Sequence, residues 1–231
     1  MQVVSDLGDS ALLLPLSIGL ILLLWRGQSR SAALALVAAL SLCLTLTLLF
    51  KIGFIACSPS WHTDIVSPSG HASFSTVTYG ALALVAVRHA PRWQKVSIAL
   101  LASILIGCIA VSRVTTGSHS AAEVGAGLLI GLSSLGLFAF RYLRQRPGTI
   151  KLPLLFGFAA FVLVAFHGVR LPAEQWVREL AQLTRGISGG CPGESAREGQ
   201  SVRQRLAGAL SERRENNAGR LKGGRYRGTD L

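Results

Sequence analysis

Charge is scarce in this chain. Only 15% of its 231 residues are Asp, Glu, Lys or Arg, while half are apolar. Acidic residues are the scarcest, for the first 169 residues hold four, Asp6, Asp9, Asp64 and Glu123. So apolar a stretch excludes intrinsic disorder there, because a disordered segment needs low hydrophobicity and high net charge. Cysteine is also sparse. Cys43, Cys57, Cys108 and Cys191 form no CxxC pair, and two of them lie inside long apolar runs. That excludes a disulfide scaffold and argues against a structural zinc site. The net charge of +12 and a pI near 10.8 are features of nucleic-acid binders. Here, however, the basic residues of the first 169 positions stand between apolar segments, which is the pattern of a membrane protein and predicts no nucleic-acid partner.

A membrane-crossing helix needs about 20 mainly apolar residues, since the hydrocarbon layer is ~30 Å thick and each residue rises ~1.5 Å. Six segments qualify, at about 8–25, 31–50, 72–87, 96–111, 121–140 and 150–169. None carries Lys or Arg away from its ends, and apart from Asp9 at the very start of the first, the one acid inside them is Glu123. The first reads as a span and not as a cleaved leader, because its flank carries Asp6 and Asp9 where a leader would be basic. Pro15 inside it is compatible with a helix in lipid. The sixth, with Pro153 near its start and His167 near its end, is the weakest. The expected fold is therefore all-α, a polytopic membrane bundle of about six helices over 1–170. The remainder, 171–231, is rich in Arg, Gly, Glu and Ser and reads as a basic, mostly disordered tail, with helical stretches at 173–184 and 201–213.

The connections differ in charge. Arg26 and Arg30, then Arg88, Arg92 and Lys95, then Arg141, Arg144, Arg146 and Lys151 fall on one side. Only Lys51 and Arg113 fall on the other. The positive-inside rule places the nine in the cytoplasm and the other two on the outer face of a cell (inner) membrane. Lys51 and Arg113 have an ordinary reading as interfacial anchors whose stems snorkel to water. They also have neighbours that suggest chemistry. The second connection contains Pro68-Ser69-Gly70-His71, and the fourth contains Ser112-Arg113 followed by His119 and Glu123. If every segment spans, both connections emerge on the same face, with Lys51 ending span two, His71 opening span three, Arg113 ending span four and His119 opening span five.

Such a meeting of helix ends suits a phosphate. A Pro-Ser-Gly turn feeding a helix directs free N–H groups outward and lets the backbone approach a ligand. Lys51 and Arg113 supply positive charge, and arginine offers a planar fork for phosphate oxygens. Histidine changes protonation near neutral pH, so His71 and His119 are candidates for proton transfer and attack. His119 and Glu123 are four apart, which on a helix puts them on one face. The carboxylate can then hold one ring nitrogen and leave the other to attack.

These two connections resemble the type 2 phosphatidic acid phosphatase family, which shares its site with vanadium haloperoxidases. The family pattern is KxxxxxxRP, PSGH and SRxxxxxHxxxD. Pro68-Ser69-Gly70-His71 matches the second piece in full. Ser112, Arg113 and His119 match the third, with Glu123 where Asp is usual, and Lys51 and Pro59 match the first, with Ser58 where Arg is usual. The resemblance covers about 45–140. It implies His119 as the nucleophile that takes the phosphoryl group, Glu123 as its orienting acid and His71 as the general acid. Lys51, Ser69, the Gly70 amide and Arg113 would hold the phosphoryl oxygens, and the family's chemistry needs no metal or other cofactor.

The expected function is hydrolysis of a lipid phosphomonoester or diphosphate, with a lipid phosphate as substrate and the bilayer as partner. Ser58 motivates an alternative, a lipid-phosphate-binding or transport component with impaired catalysis. A haloperoxidase-like use of vanadate is disfavoured by the many spans. His62 and Asp64 read as loop polar residues, and Cys57 needs no role. Gly127 and Gly131 give a small-xxx-small spacing that predicts close packing of span five on a neighbour. Oligomeric state and lipid identity are not encoded in these patterns.

Overall fold

The computed structural model describes residues 2–27, 29–61, 67–146, 148–166 and 168–169. His62, Asp64, His167, Arg170 and the whole tail lie outside the described residues, as do the side chains of Cys57 and Ser58. Among the described residues the structure is all helical. A short α1 (Gln2–Asp6) precedes α2 (Ser10–Gly27), α3 (Arg30–Trp61), α4 (Gly70–His89), α5 (Arg92–Thr115), α6 (Ala121–Leu143) and α7 (Leu152–Ala165). Five of these, α2 to α6, are long and apolar enough to cross a membrane. This is a multi-pass membrane protein.

The sixth segment is shorter than expected. Helix α7 has 14 residues, about 21 Å at 1.5 Å per residue, against a hydrocarbon layer of ~30 Å. Its start is set by Pro153 in the first turn, where a missing N–H is harmless. It ends before a turn in which Gly168 has φ 78°. Helix α3 departs the other way. It has 32 residues and runs on to Trp61, just past Pro59, although its membrane-crossing part, Arg30–Gly53, ends two residues after Lys51 as expected. No proline interrupts the apolar stretch after Lys51 before Pro59.

Helix α4 is the axis of the bundle, packed against α2, α3, α5 and α6. It is also the least hydrophobic of the five spans. The two facts belong together, because an axial helix meets protein and not lipid, so its polar side chains need partners inside the bundle. They find them. The Thr78 hydroxyl meets that of Ser17 at 3.0 Å, and Ser73 meets Thr47 at 3.0 Å. Thr76 and Ser75 donate back to the Ala72 carbonyl at 2.6 and 3.3 Å. Helix α5 shows the opposite behaviour. It leaves Val96, Leu100, Leu101, Ile104 and Val111 on the outside of the bundle, where hydrocarbon would cover them.

The small residues of α6 pack as expected. A Cβ on Gly127 would fall 2.5 Å from the Ser69 carbonyl oxygen, and one on Gly131 would fall 2.7 Å from the Ser73 carbonyl oxygen. The spacing therefore serves contact between α6 and α4 within the chain. At the far end of the bundle the basic residues gather, as the up-and-down path requires. There Arg88 donates to the carbonyl of Tyr142 in the last turn of α6 and to that of Gln145 just beyond it, and lies over the Tyr142 ring. Ser29 bonds the Gln145 side chain at 2.8 Å.

Candidate active site

The α5–α6 turn is written in the local sequence. Helix α5 stops at Thr115, and Gly117 follows with φ 66°. Its N–H bonds the Val114 carbonyl at 3.0 Å, and the Ser118 N–H reaches the Arg113 carbonyl at 3.2 Å. This is a Schellman ending, which favours glycine at the left-handed position. The His119 N–H bonds the same Arg113 carbonyl at 3.2 Å. One backbone oxygen thus fixes His119 relative to Arg113.

Helix α6 then begins with a capping box. The Ser120 hydroxyl accepts from the Glu123 N–H at 3.2 Å, and Glu123 Oε2 accepts from the Ser120 N–H at 2.9 Å. The same Oε2 lies 3.1 Å from His119 Nδ1. His119 therefore precedes the helix and does not sit on its face. The expected pairing with Glu123 is present, but the capping box creates it, not an i,i+4 helical register. Both side chains are buried, with 8% of His119 and 5% of Glu123 exposed. The imidazole is held by Nδ1, so Nε2 is directed away from the carboxylate.

Glu123 also fastens the other connection. Its Oε1 accepts from the Ser67 N–H at 2.7 Å, and its backbone carbonyl accepts from the Ser69 N–H at 3.0 Å. The strap 67–69 thus lies across the first turn of α6, in the space that the missing side chain of Gly127 leaves. The strap delivers the chain into α4. Ser69 caps that helix, its hydroxyl accepting from the Ala72 N–H at 3.4 Å. Gly70 and His71 occupy the first turn, where helix geometry leaves backbone N–H groups without intrahelical partners. A Cβ on Gly70 would come no nearer than 3.9 Å to Thr47. Ser69 is fully buried with its oxygen turned to the helix. Its cap geometry accounts for the oxygen's position before any ligand is considered.

The cations arrive from two further helices. Arg113 donates from Nη1 to the Ser5 hydroxyl at 2.8 Å. Lys51 is buried on α3, one turn beyond Thr47, on the face that meets Ser73 and Gly70. His71 Nε2 lies 3.7 Å from Asp9 Oδ2. Hydrogen bonds and contacts thus link His71, Arg113, His119, Glu123 and Ser69 to the α4 and α6 N-termini or to the segment before α2, and Lys51 shares the helix face of Thr47. Among the described residues no three His, Cys, Asp or Glu side chains converge on a metal-sized space.

A sequence model described as the PAP2 superfamily matches residues 16–148. The chain belongs to the PAP2 superfamily. Neither curated proteins nor solved structures gave a match to it. PAP2 members are phosphatases, and the matched range contains the capping box, the Schellman turn and the Pro68–His71 strap. It leaves out Asp9 and Ser5, which the structure places beside His71 and Arg113. In the sequence alone, Asp9 argues only against a leader peptide. The signal available was the rarity of acids in the first 169 residues, where a carboxylate next to a span asks for a partner. The Ser67 contact left no such signal, since an N–H donor has no residue signature.

Proposed function

We propose that this PAP2 protein hydrolyses a phosphomonoester or diphosphate of a lipid, through a phosphohistidine on His119, at the outer face of the cell (inner) membrane. The observation that carries this reading is the Glu123 carboxylate, which holds His119 Nδ1 and, through the Ser67 N–H, the strap that leads into α4. In the proposed step His119 Nε2 attacks phosphorus, and the P–O bond to the lipid breaks. The electron pair leaves with that oxygen, which takes a proton from His71. Water then attacks phosphorus and gives a proton back to His71, the P–N bond breaks with its electron pair returning to Nε2, and inorganic phosphate departs. Lys51, Arg113 and the Gly70 amide would stabilise the charge on the transferring group, a large term in phosphoryl transfer. Ser69 would contribute through the helix start that it caps.

Support for the outward face comes from the cations at the opposite end of the bundle, which the positive-inside rule would assign to the cytoplasm. Sites at helix ends sit where a lipid head group meets water, which favours a substrate whose tail stays in the bilayer. Phosphate release from purified protein against a panel of lipid phosphates tests the reading. His119→Ala is expected to abolish turnover, and unchanged turnover in that variant refutes the mechanism. A second reading, a lipid-phosphate binder with little catalysis, draws on Ser58 in the place where the family pattern has arginine. Retention of labelled lipid phosphate by well-folded protein, with no phosphate released, would favour it.

A further inference from the structure

The segment that precedes the first span is tied into the site at three points. The Ser5 hydroxyl accepts from Arg113 Nη1 at 2.8 Å, and the Leu7 carbonyl accepts from the Tyr79 hydroxyl at 2.8 Å. Asp9 Oδ2 faces His71 Nε2 at 3.7 Å. Gly8 lies against the same ring, since a Cβ there would stand 3.4 Å from His71 Cδ2 and 2.8 Å from Ile109. These contacts come from α4 and α5, so residues 5–9 form a wall of the site and not a loose end. Asp9 itself is buried. Its two oxygens have separate duties. Oδ1 accepts from the Ala11 N–H at 2.9 Å and caps α2, while Oδ2 is turned to His71.

We infer that Asp9 is a positioning residue for the general acid. It holds the His71 ring by Nε2 and balances the charge of the ring when both nitrogens carry protons, leaving the proton on Nδ1 to pass to the leaving oxygen. A carboxylate that orients an imidazole and offsets its charge is a recurring device of acid–base catalysis. The inference rests on the proposed function, in which His71 supplies that proton. It adds a residue outside the three motif pieces and outside the matched range.

Asp9→Asn is the discriminating variant, because asparagine is as good a helix cap as aspartate and keeps the Oδ1 acceptor while removing the charge. Turnover is measured on two substrates, an alkyl lipid phosphate, whose leaving alkoxide needs a proton, and p-nitrophenyl phosphate, whose leaving group does not. General acids contribute about 10²- to 10⁴-fold. The variant is expected to lower kcat on the alkyl substrate about 10- to 100-fold and kcat on the aryl substrate less than about 3-fold. Asp9→Ser, which caps the helix but cannot reach the ring, should show the same split. Equal losses on both substrates, or none on either, overturn the role of Asp9 while leaving the phosphatase reading intact. A wild-type protein that hydrolyses neither substrate overturns both.

Discussion

Replacing Glu123 by Gln changes one oxygen to an NH2 group and removes one charge, with almost no change in shape. The consequence is large because three donors converge on this carboxylate. Ser67 N–H reaches Oε1, while Ser120 N–H and His119 Nδ1 reach Oε2. An amide has one acceptor to offer. With its oxygen at the Oε2 position, its NH2 group confronts the Ser67 N–H. With the amide turned over, NH2 confronts the Ser120 N–H and His119 Nδ1 can no longer donate to it. Either way a buried N–H loses its partner, at about 1–3 kcal/mol. The remaining bonds lose their charge assistance, which roughly halves their strength. A net loss of about 2–4 kcal/mol is expected. It should appear as a lower midpoint in thermal unfolding of the detergent-solubilised protein. Turnover per folded molecule should fall further, because the proposed nucleophile loses the group that sets its tautomer, an effect of about 10⁴-fold where such a carboxylate was neutralised in a serine protease. A variant that matched the parent in both unfolding midpoint and phosphate release would refute the placement of Glu123 as the joint of the site.

Gly127→Ala should cost about 1–3 kcal/mol of overpacking, lowering the unfolding midpoint and reducing turnover, since its Cβ would press on the Ser69 carbonyl that the strap presents. Gly136→Ala, where a Cβ meets nothing within 4 Å, should leave turnover unchanged and hold or slightly raise the midpoint, because alanine favours a helix interior over glycine. For orientation, Ser118→Cys in a background without native cysteines is expected to react with a membrane-impermeant maleimide in intact cells. Arg92→Cys should react only after the cells are opened. The reverse pattern would put the site on the cytoplasmic face.

Much of this protein is legible in its sequence because the bilayer imposes a simple demand. A helix that crosses must be apolar for about 20 residues, so the five long spans stand out, as does the charge difference between the two ends. Local chemistry also reads directly. Gly117 after a helix end and Ser120 three residues before Glu123 are stop and start signals whose residues are needed for backbone reasons. The motif residues are named through the family resemblance, which their types and spacing carry. The length of α7 and the continuation of α3 past Lys51 were harder to see, because hydropathy marks where a helix is tolerated in lipid and not where it ends.

What the tertiary structure decided is who meets whom. Pairing of His119 with Glu123 was expected from a helical register, yet it arises from a capping box with His119 outside the helix. Burial of α4 at the bundle axis, despite its many hydroxyls, depends on partners contributed by α2, α3 and its own carbonyls. The approach of Asp9 to His71 and of Ser5 to Arg113 joins residues more than 60 positions apart, and no periodicity encodes such a distance. Sequence fixes periodic and local features because they depend on neighbours along the chain. Contacts across the bundle depend on how the helices pack, and there a single missing side chain, as at Gly127, lets one strap of backbone lie where the chemistry is proposed to occur.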